Sequence, residues 1–232
     1  VRDETPRVRT LALDVPGWPG HRAGQHADVR LTSDDGAVAQ RPYSIASAPE
    51  DPRLELTVSL LDDGEVSPWL AREARPGDQL ELRGPVGSAF SWHVGDGGPL
   101  LLVGGGAGLV PLRAMVRHRI AQGAATETRL VVSARTRDDL LYAAEHGDWI
   151  AAGVSLEVTL TRAAPRRRVD AALLSAPSAG ARPHVFVCGP TAFAEAAAEH
   201  LLDLGHAPER VRVERFGGAL KSTNSIGFAK SR

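Results

Sequence analysis

The run Val103-Gly104-Gly105-Gly106-Ala107-Gly108-Leu109-Val110-Pro111 is a glycine-rich turn leading from an apolar strand into a helix. Without Cβ atoms the backbone can approach a pyrophosphate closely, and the helix start offers unpaired N–H groups to it. The spacing departs from G-x-G-x-x-G, and a tight structural connection would look much the same. An NAD-specific fold places an acidic residue after the next strand; here Ser133-Ala134-Arg135-Thr136-Arg137 stands there, with Asp138 and Asp139 reading as helix-starting residues. A hydroxyl with two guanidiniums suits an extra phosphate better than a ribose diol, so NADP(H) is favoured while NAD(H) stays open. A second constellation is Arg41-Pro42-Tyr43-Ser44, in the middle of a strand-like run. Its Arg can pair with a phosphate, its Tyr offers an aromatic face and its Ser a donor, though an ordinary strand with outward polar groups would carry the same residues. Gly64-Glu65-Val66-Ser67 precedes the one helix of this half, whose start is either a second phosphate cradle or simply a helix capped by Ser67.

Such groups need elements to position them. Up to about Ala89 the chain alternates in short runs: Val8 to Val15, His26 to Leu31, Val38 to Ala46, Leu54 to Leu60 and Gln79 to Arg83. Turns such as Asp34-Asp35-Gly36, Asp62-Asp63-Gly64 and Pro76-Gly77-Asp78 separate them, which reads as an antiparallel barrel or sandwich, with an antiparallel Greek-key β-barrel as the expected form. The interrupting helix starts with Ser67 as N-cap and Pro68 at its first position. After Gly95-Asp96-Gly97-Gly98-Pro99 the texture changes to apolar runs at Leu100 to Val103, Arg129 to Ser133, Leu156 to Thr161, His184 to Cys188 and Val211 to Phe216. Helical patterns lie between them at about Leu109 to Ala121, Asp138 to His146, Val169 to Leu174 and Ala192 to Leu204. This alternation implies a doubly wound parallel sheet with helices on both faces. The expected organisation is therefore a barrel over 1–95, an α/β domain over 99–217 and a tail over 218–232 that is a flap, a disordered end or an extension. Ligands of an open parallel sheet collect at the carboxyl ends of its strands, here Gly104, Ser133, Thr161, Cys188 and Glu214.

Composition narrows the chemistry. With 232 residues, 43 % hydrophobic and 24 % charged, the chain reads as a soluble globular protein. Its 27 basic and 28 acidic side chains leave no electrostatic footprint for nucleic acid or an anionic membrane. The single cysteine, Cys188, excludes a disulfide framework, a four-thiolate iron–sulfur centre and a Cys-rich zinc site within this chain, and allows a reduced, cytoplasmic setting, the expected location. The eight histidines show no paired metal spacing, so no metal site is expected. Gly97 to Leu112, the longest charge-free stretch, is too short and glycine-rich to span a bilayer.

Taken together, Arg41-Pro42-Tyr43-Ser44, Gly64-Glu65-Val66-Ser67, Gly84-Pro85-Val86-Gly87, Gly104-Gly105-Gly106-Ala107-Gly108, Cys188-Gly189-Pro190 and Glu214-Arg215-Phe216 resemble, in order and spacing, the ferredoxin–NADP reductase superfamily. The resemblance implies a flavin on the barrel and a nicotinamide dinucleotide on the α/β domain, meeting at the interface. On it, Arg41 pairs with the flavin pyrophosphate, Pro42 and Tyr43 lie along the flavin, Ser44 bonds near its reactive nitrogen, and Gly64, Glu65, Val66 and Ser67 wrap the pyrophosphate. Gly104, Gly106 and Gly108 carry the dinucleotide pyrophosphate, while Ser133, Arg135 and Arg137, with Arg162 nearby, surround a 2′-phosphate. Cys188, Gly189 and Pro190 sit beside the nicotinamide, and Glu214 and Phe216 near the flavin, with Ser44, Cys188 and Glu214 as the catalytic set.

The implied activity is hydride transfer from NAD(P)H to FAD, then electron delivery to a separate one-electron acceptor protein such as ferredoxin, flavodoxin or an oxygenase component. FAD is favoured over FMN because both the Gly64 to Ser67 and Gly84 to Gly87 loops are present. Two alternatives stand beside this: a flavin reductase that releases reduced flavin, and a catalytically silent, nucleotide-binding partner subunit. The oligomeric state is open, and nothing in the chemistry requires more than a monomer.

Overall fold

A computed structural model describes residues 1–33, 35–175 and 182–217. Six strands form the first half: β1 (Arg2–Thr5), β2 (Val8–Leu13), β3 (His26–Thr32), β4 (Val38–Ser44), β5 (Leu54–Ser59) and β6 (Glu81–Val86). They pair antiparallel in two sheets, β1-β2-β5 and β4-β3-β6, joined where Ile45 bridges Leu56. In β3, Ala27, Val29 and Leu31 point inward while Asp28 and Arg30 do not, the two-residue period of a sheet with one buried face. They meet Ile45, Leu56, Val58, Val66 and Leu70 in the barrel core. The sequence pattern missed β1, whose Arg2-Asp3-Glu4-Thr5 has no apolar alternation and is held by pairing with β2.

The expected helix of this half is present, but Ser67 does not cap it. It is a single wide turn, Trp69–Glu73, flanked by Pro68 without a side-chain cap. The Ser67 hydroxyl instead accepts from the Leu61 N–H at 3.0 Å and donates to the Leu61 carbonyl at 3.3 Å, closing the loop ahead of the turn.

The second half is a five-stranded parallel sheet of β7 (Leu100–Gly105), β8 (Thr128–Ala134), β9 (Val154–Leu160), β10 (His184–Pro190) and β11 (Val211–Phe216), in the order β11-β10-β7-β8-β9. Its helices are α1 (Leu109–Ala121), α2 (His146–Ala151), α3 (Ala171–Leu174) and α4 (Thr191–Asp203). Alternate residues of one strand serve opposite layers: Leu100 and Leu102 pack with Leu112 and Met115 of α1, whereas Leu101 and Val103 pack with Ala194, Ala197 and Leu201 of α4. Two covered faces explain why the central strands β7 and β10 read as nearly continuous apolar runs, whereas the edge strands β9 and β11 carry polar residues.

Two helical segments differ from expectation. The span Asp138 to His146 is not one helix; tight turns at Arg137–Asp139 and Ala143–Glu145 precede α2. Asp139 accepts from the Thr136 N–H at 3.1 Å and hydroxyl at 2.8 Å, and Tyr142 takes φ 54°, which no continuing helix tolerates. α3 starts at Ala171 rather than Val169, because the Asp170 carboxylate accepts from the Leu173 N–H at 2.8 Å as its N-cap.

The halves meet along α1. Arg117 donates to Asp51 at 2.7 Å, His118 Nδ1 meets the Glu50 carboxylate at 2.8 Å, and Phe90 and Trp92 from the barrel's end join the apolar cluster under α1. Among the described residues no helix is long and apolar enough to cross a membrane. The expected tail, 218–232, lies outside the described residues.

Candidate active site

The strand order reverses between β7 and β10, and at such a switch point the loops at the strands' carboxyl ends diverge to leave a crevice. The glycine-rich turn sits there and packs against β8, β10, β11 and, across the halves, β5. Its glycines have separable jobs. A Cβ on Gly108 would stand 1.9 Å from the Cys188 carbonyl oxygen, so only glycine lets the start of α1 lie on the end of β10. A Cβ on Gly104 would come within 3.3 Å of the Leu109 backbone. Gly106 is exposed, takes φ 54° and faces open space. The turn therefore presents bare backbone to the crevice, and it fits a dinucleotide pyrophosphate.

Cys188, two residues before the end of β10, stands in register with Glu214 on β11 and Gly104 on β7. Burial, reinforced by the Glu214 carboxylate, pushes the Cys188 thiol far up, so it remains a neutral thiol and a weak donor, not a thiolate nucleophile. Burial also raises the Glu214 carboxyl to about 7, so the pair holds a proton that is exchangeable near neutrality. Ser44, 8 % exposed, ends β4 on the barrel side, two residues before Ala46, which lies in the same apolar cluster as Cys188. Phe216, the last residue of β11, packs against that cluster.

The two barrel motifs also meet. Arg41 is ion-paired with Glu65 and donates to the Gln40 carbonyl at 2.8 Å, which joins β4 to the loop ahead of Trp69. This leaves an exposed guanidinium at the barrel edge, as a flavin pyrophosphate would need. Tyr43 is half-buried against the barrel core, with its hydroxyl pKa raised by burial, and Pro42 is exposed. The tight loop favours glycine at Gly64, since a Cβ there would lie 2.8 Å from the Ser67 hydroxyl and 3.1 Å from the Leu61 carbonyl oxygen. Val66 is fully buried in the barrel core and the Ser67 hydroxyl is committed to Leu61, so both can offer a cofactor only backbone groups.

On the far side of the crevice Ser133 pairs with Gly105 and with Thr159. The Arg162 N–H donates to the Arg135 carbonyl at 2.8 Å, so these two exposed arginines leave neighbouring backbone positions, with exposed Arg137 beyond them. Arg135 is ion-paired with Asp139, the residue that also closes the Thr136 turn. Gly189 and Pro190 end β10, where sequence reasoning missed a neighbour: Phe193, whose ring atoms would lie 2.6 Å from a Cβ on Gly189 and 2.7 Å from one on Gly105. The signal was present in the sequence as an aromatic three residues after Pro190, in the first turn of α4.

Comparison with known proteins gives a consistent picture. Residues 5–91 match the oxidoreductase FAD-binding domain family and residues 102–199 the oxidoreductase NAD-binding domain family. The chain is 34 % identical over 234 residues to ferredoxin–NADP reductase B of Sorangium cellulosum, covering 93 % of this chain and 94 % of that protein. It is 30 % identical over 226 residues to the ferredoxin–NAD(P)(+) reductase component of the naphthalene 1,2-dioxygenase/salicylate 5-hydroxylase systems of Ralstonia sp., with 93 % of this chain and 66 % of that longer protein covered. Among solved structures, the Amycolatopsis cytochrome P450 reductase GcoB superposes with a TM-score of 0.80 at 28 % identity, over 93 % of this chain and 67 % of that one. The two domain matches and the near full-length relative show that the chain belongs to the ferredoxin–NADP reductase superfamily of NAD(P)H-dependent flavoprotein oxidoreductases, which bind FAD on a barrel and NAD(P) on an α/β domain.

Proposed function

We propose that this chain draws electrons from NADPH in preference to NADH and delivers them, through FAD, to a separate one-electron acceptor protein. The observation that carries the NADPH preference is the pair of exposed arginines, Arg135 and Arg162, joined through their backbones just past the end of β8. Two guanidiniums beside Ser133, with Arg137 beyond, form a donor-rich corner for a 2′-phosphate, and Asp139 is already engaged with Arg135 and Thr136 instead of standing free for a ribose diol. The acceptor reading is supported by the relatives, one named a ferredoxin–NADP reductase and another a reductase component of dioxygenase systems. On this reading the chain divides into a flavin-binding domain over 1–95, an NAD(P)-binding domain over 99–217 and a tail over 218–232 that lies outside the described residues.

Bound FAD supplies the exchange between a two-electron hydride donor and one-electron acceptors. The chain's own contribution is alignment. Arg41 holds the flavin pyrophosphate at the barrel edge, Tyr43 flanks the ring system, and Ser44 donates toward it. Gly104, Gly106 and Gly108 admit the dinucleotide pyrophosphate, Gly189 and Pro190 bound the nicotinamide, and Phe216 covers the flavin side. Cys188 stays a neutral donor beside the reacting ring, and Glu214 holds or releases a proton near neutrality.

The test is anaerobic reduction of the FAD-loaded protein by each dinucleotide. Bleaching is expected to be faster with NADPH than with NADH, and Arg135→Ala should raise the NADPH KM while leaving the NADH KM nearly unchanged. An equal loss with both dinucleotides would sink the 2′-phosphate assignment. Flavin lost on gel filtration would count against delivery to a protein acceptor and for release of free reduced flavin.

A further inference from the structure

Five residues beyond Gly108, on the first turns of α1, lies an arginine that the reaction as described does not use. The Arg113 side chain is 2 % exposed. Its Nη1 donates to the Ala46 carbonyl at 2.9 Å and to the Glu55 carboxylate at 2.6 Å, both on the barrel side. Its Nε donates to Glu145 at 2.9 Å, on the α/β side, and its guanidinium carbon sits 4.5 Å from the centre of the Tyr142 ring. Tyr142 is itself held across the halves, its hydroxyl donating to Thr57 on β5 at 2.6 Å, and it keeps φ 54° to do so. One guanidinium thus spans both domains, and each end of its grip is continuous with one half of the site. Ala46 follows Ser44 by two residues, and Arg113 lies on α1, the helix that the glycine-rich turn leads into.

Stability alone does not account for such a group. A buried ion pair is often no more stabilising than apolar side chains of similar volume, because desolvation of the charges offsets their attraction. What a leucine here would not supply is direction: simultaneous bonds to a backbone carbonyl and to carboxylates on two domains, with an aromatic face beneath.

We propose that Arg113 is a positioning residue that fixes the spacing between the barrel edge carrying Ser44 and the glycine-rich turn, and thereby sets the rate of hydride transfer without setting the affinity for either nucleotide. The proposal rests on the reading of the two motifs as the flavin and dinucleotide sites. Hydride transfer requires the two rings at close range, and a misplacement of about 1 Å is enough to cost about a hundredfold in rate. Loosening this clamp should therefore act on kcat.

The experiment uses the FAD-loaded full chain with Arg113→Met, Arg113→Lys and Glu55→Gln. Glu55→Gln removes the cross-domain ion pair, together with the exposed Arg2–Glu55 pair at 3.7 Å, and leaves Glu145 to neutralise Arg113, so it reports even if Arg113→Met fails to fold. Four readouts are taken: kcat, the dinucleotide KM, the FAD Kd, and the long-wavelength absorbance that stacked nicotinamide and flavin rings give. The expected result is a fall in kcat of about tenfold or more for Arg113→Met, with KM and Kd within about twofold of wild type. The stacking absorbance should fall in parallel, with Arg113→Lys partly rescued and Glu55→Gln showing a smaller loss of the same kind. Unchanged kcat and absorbance in the folded variants would overturn the proposal, as would losses that follow only the fraction of bound flavin. A wild-type protein that neither dinucleotide reduces would overturn the underlying reading as well, which separates the two failures.

Discussion

Replacing Glu214 by Gln keeps the shape of the side chain and removes its charge, so it isolates what burial does to this carboxyl. Burial raises the carboxyl from its ordinary 4.5 to about 7. Between these values the folded chain keeps a proton that the unfolded chain has released. The resulting stabilisation is full below about pH 4.5, is lost as pH rises to about 7, and is flat above that. At 1.36 kcal/mol per pKa unit, the span corresponds to at most about 3.4 kcal/mol. Glu214 is only partly buried, and screening by water reduces the expected effect to about 1 to 2 kcal/mol. Urea unfolding of wild type and Glu214→Gln at pH 5, 6, 7 and 8, at one fixed saturating FAD concentration, measures it by difference, since all other titrating groups are shared. The variant should gain about 1 to 2 kcal/mol relative to wild type between pH 5 and pH 8. A difference that stays flat across this range would refute the desolvated carboxyl, and with it Glu214 as a proton holder near neutrality.

Gly108→Ala should destabilise the fold by about 3 kcal/mol or more, because the new Cβ would overlap the Cys188 carbonyl at 1.9 Å; a loss below about 1 kcal/mol in urea would contradict that packing. Arg41→Ala should weaken FAD binding by about ten- to a hundredfold, read from the flavin absorbance kept through gel filtration, and full retention would remove Arg41 from the pyrophosphate site. Cys188→Ala should slow anaerobic flavin reduction by about tenfold with the flavin retained, and an unchanged rate would reassign the thiol to packing alone.

Much of the architecture was legible because periodicity is a local property. The change from short alternating runs to continuous apolar strands marked the passage from barrel to doubly wound sheet, and α1 and β11 have the bounds the pattern predicts. Glycines were legible for a related reason: a turn that must present bare backbone leaves few alternatives. Legibility failed where a distant partner decided the local structure. Arg2 to Thr5 form a strand only because β2 offers its edge. Asp138 to His146 break into turns because Tyr142 is drawn toward Thr57, 85 residues earlier. Ser67 looked like a cap, yet the Leu61 backbone took its hydroxyl.

Residue types and short spacings are enough to specify the two-part architecture, the glycine-rich turn, the crevice at the strand ends, and the absence of enough cysteines for a cluster within the chain. It takes the folded chain to bring Cys188 against Glu214, to raise the buried Glu214 carboxyl to about 7, to pair Arg41 with Glu65, and to let Arg113 grip both halves at once. Those facts depend on desolvation and on side chains meeting across tens of residues, and neither quantity is carried by any one segment of the chain.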